Sequence, residues 1–180
     1  MTNIKRGRFT KAIIDTENKT VILQSICRLK EAMALWMYRD GNPHLPEIKR
    51  IAEYKYVMPL YKNLTKRDKR AWKDFEEITA IKNNYYSEYF RGQRNNFTHD
   101  VLLLVANDLQ KVNPLLADAF HELINCASNY SGFICMDFSK QNFSVDDNGN
   151  LILRDIFCTF EQLHDDTEVY SERKYRQLTS

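Results

Sequence analysis

The sequence predicts an α+β fold, in which strands and helices occupy separate parts of the chain. Strand patterns around a single helix fill residues 1–62, helical periodicity dominates residues 63–128, and a β-hairpin pattern follows. A series of βαβ units would instead alternate strands and helices throughout. We therefore predict a small N-terminal lobe over residues 1–62, made of a sheet and one helix. A helical C-terminal lobe over residues 63–180 completes one compact unit.

Composition limits the class of protein. The 180 residues are 43% hydrophobic with a net charge of +2, which allows a core and gives no whole-chain argument for nucleic-acid binding. No apolar stretch approaches the roughly 20 residues of a membrane helix, and the basic start leads into no signal region. The absence of a C-x-x-C pair argues against a zinc knuckle or a secreted disulfide scaffold. We expect a cytoplasmic protein with small core cysteines, namely Cys27, Cys126, Cys135 and Cys158.

The N-terminal lobe is predicted from alternating apolar patterns and one helical pattern. Strand patterns occupy residues 8–14, 20–23 and 48–60. A polar turn over residues 15–19 joins the first two. Residues 25–38 place Leu29 and Met33 at helical spacing and end at a Gly-Asn-Pro stop signal.

The C-terminal lobe begins with three predicted helices. The first starts in a basic stretch after residue 63. The second is capped by Thr98 and runs through Val112, and the third opens at Pro114. The tyrosine-rich residues 83–96 are predicted as a loop. Two apolar runs near the end of the chain flank an Asn-Gly turn, which is the strongest short hairpin signal.

This hairpin separates polar residues that suit phosphoryl transfer. Such a reaction needs a carboxylate near the attacking hydroxyl and oxygen ligands that hold Mg²⁺ against the phosphates. Asp137 and Asn142 lie five residues apart in one loop, and Asp155 follows the hairpin. Protein kinases use this spacing, because the hairpin returns the second Asp to the side of the Asn.

Four segments carry a resemblance to a known family. They are Gly7-Arg8-Phe9-Thr10, Met58-Pro59-Leu60, Asp137 with Asn142, and Asp155-Ile156-Phe157. Together they resemble the small early Ser/Thr protein kinases of T7-like bacteriophages, in which a truncated kinase core acts during takeover of the bacterial host. The resemblance covers about residues 7–160 and is sharpest over residues 133–157. It implies a reduced two-lobed protein-kinase-like fold.

The resemblance implies a role for each matching residue of the C-terminal lobe. Asp137 would be the catalytic base, and Asn142 and Asp155 would hold the metal. Lys140 is not part of the matching motif, but from its place in the same loop we expect it to approach the transferred phosphate. These roles belong to the catalytic loop and metal loop of a kinase.

The same resemblance implies an ATP site in the N-terminal lobe. Residues 7–12, with Gly7 and Lys11, would form a reduced phosphate-covering loop. Met58 and Leu60 would lie near the hinge that receives adenine. The expected cofactors are therefore ATP and Mg²⁺.

Departures from the family pattern bear on whether the chain is an enzyme. Leu23 stands where a kinase places its phosphate-binding lysine, so phosphate charge goes unneutralised unless Lys11 or Lys140 takes its place. Glu31, on the following helix, then lacks its usual ion-pair partner. Further departures are Cys135-Met136 in place of His-Arg, Phe157 in place of glycine, and the single Gly7 in place of a glycine-rich loop.

Two functions from different classes follow. The first is an ATP- and Mg²⁺-dependent kinase that phosphorylates host bacterial proteins on Ser or Thr in the host cytoplasm. The alternative is a catalytically dead pseudokinase that binds and inhibits or redirects a host defence or transcription protein. A small-molecule phosphotransferase shares the Asp–Asn–Asp pattern, but those enzymes usually need a larger helical lobe.

Two of these features also have a plainer interpretation. Asp and Asn shape turns in any fold, so their spacing is the evidence rather than their presence. The basic cluster, defined as Lys66, Arg67, Lys69, Arg70 and Lys73, is most often a solvated helix face. Its functional alternative is docking of an acidic partner, with nucleic acid less favoured.

Overall fold

The chain folds into an α+β structure with two compact units. The computed structural model describes residues 2–6, 10–25, 28–36, 41–89, 96–128 and 133–159. The first unit comprises residues 1–41, 46–60 and 161–180, and the second comprises residues 42–45 and 61–160. The described residues contain four α-helices and three antiparallel sheets, which confirms the predicted α+β class.

The first unit contains a five-stranded antiparallel sheet and one helix. Its elements are β1 (Thr2–Arg6), β2 (Thr10–Asp15), β3 (Thr20–Ser25), α1 (Arg28–Trp36), β4 (Lys49–Ala52) and β5 (Lys55–Pro59). The strand order is β1-β2-β3-β5-β4. The hairpin around residues 15–19 was predicted. Residues 48–60 were predicted as one or two strands and form two, whereas β1 was not predicted. β1 has little apolar alternation, and it pairs with β2 along its whole length.

The core of this unit includes one face of the central strands. Val21 lies opposite Met58, and Leu23 lies opposite Tyr56, between β3 and β5. Opposed residues of antiparallel strands share a face, so these side chains form one apolar surface. The buried side chains of β3, β5 and α1 include Val21, Leu23, Tyr56, Met58, Leu29, Ala32 and Met33.

The second unit combines three helices with two small antiparallel sheets. Its elements are β6 (Lys62–Asn63), α2 (Lys69–Tyr89), β7 (Asn96–Thr98), α3 (His99–Gln110), α4 (Pro114–Ser128), β8 (Phe133–Met136), β9 (Phe143–Val145), β10 (Leu151–Leu153) and β11 (Phe157–Thr159). One sheet has the order β10-β9-β6 and the other β11-β8-β7. Thr98, predicted as a helix cap, is the last residue of β7 and directly precedes the first residue of α3. Within the described ranges, no helix combines the length and the hydrophobicity needed to cross a bilayer.

Helix α2 is longer than the sequence predicts. It continues through residues 83–89, which the sequence analysis assigns to a loop. The Tyr85 hydroxyl donates a hydrogen bond of 2.6 Å to Asp108 on α3. Helix propensities differ by less than about 1 kcal/mol per residue, so a tertiary contact of this kind outweighs the weak preference of Asn and Tyr.

The connection between α3 and α4 depends on Asn113. Helix α3, predicted to run through Val112, ends at Gln110, and the N–H groups of Val112 and Asn113 both bond to the Leu109 carbonyl, at 3.1 and 2.8 Å. The Asn113 side chain accepts the N–H of Leu116 at 3.3 Å, which caps α4. Pro114 occupies the first position of that helix, as predicted.

The predicted hairpin forms from β9 and β10, with a five-residue connection. The N–H of Gly149 bonds to the Asp146 carbonyl at 3.3 Å, and Gly149 adopts a φ of +81°. Asn148 has no positive φ, so the turn resembles a type I turn followed by a glycine bulge. The Asp146 carboxylate accepts the N–H and the Nδ2–H of Asn150, each at 2.7 Å. These bonds fix the length of the hairpin.

Residues 42–45 join the second unit through hydrogen bonds to β10. The imidazole of His44 is buried and donates from Nδ1 to the Leu151 carbonyl at 2.8 Å. The N–H of Leu153 donates to the His44 carbonyl at 2.8 Å. A segment that the sequence marks only as a helix stop therefore pairs with the last strand of the hairpin.

A buried carboxylate on α2 lies close to His44. Asp74 is 7% exposed, and its Oδ1 accepts a hydrogen bond of 2.9 Å from Asn113. Burial raises the pKa of Asp74, while the nearby His44 acts in the opposite direction. The charged form of Asp74 is thus disfavoured in the folded state. The resulting loss of stability is fully present above the folded-state pKa, and it disappears at a pH where the group is protonated in both the folded and the unfolded state.

We expect the substitution Asp74→Asn to increase stability at pH 7. Asn keeps the shape and an acceptor for Asn113 but removes the buried charge. Because the folded-state pKa is raised, the gain should shrink as pH falls through that pKa and nearly vanish at about pH 3. Urea denaturation at both pH values measures the difference.

The exposed Asp118 on α4 provides the matched control. Asp118→Asn should change the free energy of unfolding by less than about 0.5 kcal/mol. A less stable Asp74→Asn protein at pH 7 would contradict the argument and show that the fold needs this negative charge.

Candidate functional site

The loop between β8 and β9 holds Asp137 and Asn142 together. The Asn142 side chain donates from Nδ2 to the Asp137 carbonyl at 3.0 Å. The Asp137 carboxylate is exposed and accepts the Ser139 N–H at 3.0 Å. The N–H of Asn142 donates to the Ser139 carbonyl at 2.9 Å. The loop therefore closes on itself and ends in a short 3₁₀ helix, Lys140–Asn142.

The chain returns to this loop directly after the hairpin. The N–H groups of Arg154 and Asp155 both donate to the Asn142 carbonyl, at 3.1 and 3.3 Å. The N–H of Asp137 donates to the Ile156 carbonyl at 2.9 Å. Main-chain hydrogen bonds thus bring Asp137, Asn142 and Asp155 next to one another. The catalytic and metal-binding roles of these residues remain predictions.

Phe138 anchors the loop in a cluster of aromatic rings. Its ring centroid lies 5.4 Å from Phe143 and 6.3 Å from Phe120, both in edge-to-face geometry. Phe143 in turn contacts Phe75 at 4.9 Å, and Phe120 contacts Phe157 at 5.2 Å. The cluster joins α2, α4, β9 and β11 to the loop, and such ring pairs stabilise by about 0.5–1.5 kcal/mol each. No sequence pattern marks Phe138 as an anchor, because a loop residue has no periodicity.

Two half-buried cations adjoin the loop. The Lys82 ammonium lies 5.5 Å from the centroid of the Phe138 ring, and burial lowers the pKa of Lys82. The Arg154 guanidinium donates a short hydrogen bond to the Gln141 carbonyl. Burial lowers the pKa of Arg154 as well, and the neighbouring Asp155 partly offsets that effect. Two cationic groups therefore lie beside the loop that carries the exposed Asp137 carboxylate.

Lys140 extends toward α2. Its ammonium lies 6.0 Å from the centroid of the Trp72 ring, and the Lys66 ammonium lies 5.8 Å from the same centroid. Lys140 is exposed, and its role beside the transferred phosphate remains a prediction. The contact ties the loop to the basic cluster.

The predicted phosphate-covering residues belong to the first unit. Gly7 lies outside the described residues. Lys11 on β2 is opposite Gln24, whereas Ala12 is opposite Leu23. Adjacent side chains on a strand point to opposite faces, so Lys11 and Leu23 lie on different faces of the sheet. This register does not favour Lys11 as the substitute for the missing lysine.

The remaining predicted nucleotide residues have structural partners. Met58 is buried, and the N–H of Leu60 donates to the Lys19 carbonyl at 2.8 Å. Glu31 on α1 forms an ion pair of 3.0 Å with Arg50 on β4. Glu31, which the resemblance would leave without its ion-pair partner, is therefore paired with an arginine from a neighbouring strand.

Two cysteines flank the loop in the sheet. The register of β8 and β11 places Cys135 opposite Cys158, so residues that are distant in sequence are cross-strand neighbours. Cys126 on α4 is buried and free, and burial with the nearby Glu122 raises the pKa of its thiol to about 11. Its burial confirms Cys126 as a small core residue. Cys27 lies outside the described residues.

Comparison with known proteins found no matching family model, no similar curated protein and no similar solved structure. Among the described residues, no group of three or more His, Cys, Asp or Glu side chains could hold a metal ion. Two carboxylates and one amide remain as oxygen donors around the loop. A function must therefore be argued from the geometry of this loop.

We expect Phe138→Ala to destabilise the protein by about 2 kcal/mol. This is less than the cost of truncating a fully buried phenylalanine, because the Phe138 ring is half-buried. Phe138→Leu keeps most of the apolar volume and should cost less than about 1 kcal/mol. Urea denaturation gives both values. Equal effects of the two substitutions would mean that the ring does not anchor the loop.

Proposed function

We propose that this chain is a protein-kinase-like protein that binds ATP with Mg²⁺ and transfers a phosphoryl group to Ser or Thr of other proteins. The observation that carries the proposal is the pair of hydrogen bonds from Arg154 and Asp155 to the Asn142 carbonyl. They bring the residue after the hairpin beside the Asp137–Asn142 loop, which is the juxtaposition that phosphoryl transfer by kinases requires.

Each of the three residues has a group suited to its role. Ser139 binds Oδ1 of Asp137, which leaves Oδ2 to accept the proton of an attacking hydroxyl. Nδ2 of Asn142 is bound to the Asp137 carbonyl, so its Oδ1 can serve as a metal ligand. With the exposed Asp155 carboxylate it offers the oxygen donors that Mg²⁺ prefers. When bound, the ion neutralises phosphate charge.

The order of elements in the first unit also supports a kinase-like fold. Kinases cover the phosphates with a glycine-containing loop, carry the lysine on the third strand, and place its glutamate partner on the next helix. Here Gly7 follows β1, Leu23 lies on β3 and Glu31 lies on α1. By the same resemblance, the substrates would be bacterial host proteins in the host cytoplasm.

A specific observation favours a second candidate, a pseudokinase that binds and inhibits or redirects a host protein. Leu23 is buried in the core of the first unit, and Glu31 pairs with Arg50. The lysine–glutamate pair that active kinases require is thus replaced by an apolar residue and a different ion pair. Such a protein would keep the kinase-like scaffold to bind a host protein and would no longer catalyse phosphoryl transfer.

We expect ATP with Mg²⁺ to raise the melting temperature. Ligand at 100 times its Kd stabilises by about 2.7 kcal/mol, which corresponds to roughly 5–10 °C for a chain of this size. Asp155→Asn should abolish the part of the shift that depends on Mg²⁺. Asp147→Asn, which changes an exposed turn residue paired with Lys62, is the matched control and should leave the shift intact. An equal shift with and without Mg²⁺ in the wild type would contradict the assignment.

We expect transfer of labelled phosphate from ATP to proteins of a bacterial lysate. Asp137→Asn should lower the rate by at least about 100-fold while leaving the ATP-dependent thermal shift unchanged, because the carboxylate acts on the acceptor hydroxyl. Labelling that is indifferent to Asp137→Asn would reject the catalytic role. A thermal shift without any labelling would select the pseudokinase.

A further inference from the structure

The basic cluster and the candidate catalytic loop form one surface. Lys66, at the start of the cluster, and Lys140, in the loop, both have their ammonium groups within 6.0 Å of the Trp72 ring centroid. The two ammonium groups are therefore at most twice that distance apart. The surface formed by the five cationic side chains at the start of α2 thus extends to Lys140 in the loop that carries Asp137.

Stability alone does not account for this concentration of positive charge. The N-terminal end of a helix carries the positive end of its dipole, so cations there are unfavourable. The first turn of α2 has no acidic residue. The nearby Asp68 carboxylate is already bound by the N–H and the hydroxyl of Thr65, at 2.9 and 2.7 Å. The helix dipole thus opposes these cations, although Arg70 and Lys73 are close enough to Asp74 to act on its pKa.

Most of these cations are exposed and form no internal ion pair. Lys73 pairs with Glu77 at 3.4 Å. In the part of the chain that the structure describes, no salt bridge involves Lys66, Arg67, Lys69, Arg70 or Lys140. All five are exposed. Their guanidinium and ammonium groups are available to an anionic partner.

The aromatic residue at the centre of the surface does not suit single-stranded nucleic acid. Non-specific nucleic-acid sites combine basic residues with aromatic faces on which bases stack. Trp72 is half-buried, its Nε1 donates to Glu76 at 2.6 Å, and its ring lies against Lys66, Lys140 and Phe75. The ring therefore supports the two lysines rather than offering a stacking platform. Carboxylates of a polypeptide match such a surface better.

We propose that the basic cluster and Lys140 bind an acidic polypeptide segment that contains the Ser or Thr to be phosphorylated. This inference rests on the proposed kinase function, because Lys140 is three residues from the candidate base Asp137. Acidic residues on the substrate would pair with the cations, and the hydroxyl would then lie near the Asp137 carboxylate. The surface would make the protein selective for acidic substrates.

Fluorescence anisotropy with labelled peptides tests the surface without turnover. One probe is a 13-residue peptide with a single Ser among Glu and Asp residues, and the second has Gln and Asn in their place. The acidic probe should bind about tenfold or more tightly than its neutral counterpart, and increasing salt should weaken it. A single-stranded DNA oligonucleotide of equal charge is the third probe.

The double substitution Arg67→Gln/Arg70→Gln should weaken binding of the acidic peptide by about tenfold. The matched control Lys5→Gln/Lys19→Asn removes two exposed charges from the first unit and should change the affinity by less than about twofold. In a phosphorylation assay, the Arg67/Arg70 variant should raise KM for the acidic peptide and leave kcat unchanged, which a merely structural effect would not produce.

Equal affinity for the acidic and neutral peptides would overturn the inference, and so would tighter binding of the oligonucleotide than of the acidic peptide. The outcome is separable from the proposed function. Phosphorylation with no preference for acidic peptides leaves the kinase proposal standing and removes this one. Binding that depends on Arg67 and Arg70 but is never followed by phosphorylation supports the docking surface and removes the kinase.

Discussion

The pair of hydrogen bonds that ends at the Asn142 carbonyl is the constraint on which the candidate site depends. These hydrogen bonds require the β9–β10 hairpin to bring the chain back to Asn142, the residue directly before β9. A strand exchanges its two faces with every residue of register shift, so an insertion in either strand would turn Asp155 away from the loop. The bulge at Gly149 and the closure of the turn by Asp146 therefore belong to the site, although neither lies within it.

The aromatic cluster gives one departure from the kinase pattern a structural reason. Phe157 stands where the proposed resemblance would place the glycine that follows Asp155, and its ring packs against Phe120. A bulky ring there adds apolar contact beneath the loop, where a glycine would add mobility. Leu23 is likewise buried in the core of its own unit. Under the proposed kinase resemblance, both residues would be packing replacements for residues that active kinases use at the nucleotide.

Local signals in the sequence predicted the elements that depend on local chemistry. The polar turn at residues 15–19, the Asn-Gly hairpin and the proline that opens α4 each carry their own information. β1, the last turns of α2 and the pairing of residues 42–45 depend on partners far along the chain, and no local pattern marks them. The spacing of Asp137, Asn142 and Asp155 was readable because the loop and hairpin have fixed lengths. The contacts of Phe138, Lys82 and Trp72 could not be predicted from the sequence, because each of them joins separate elements of the fold.

The place of residues 42–45 bears on how the protein is made. Asn42 donates to the Leu115 carbonyl, 73 residues further along the chain, and His44 bonds to Leu151, 107 residues further along. Because synthesis proceeds from the N-terminus, these residues leave the ribosome long before α4 and β10 are made. Residues 61–160 therefore cannot complete the second unit by themselves. Residues 42–45 also belong to it, and they find their partners only when α4 and β10 have been made.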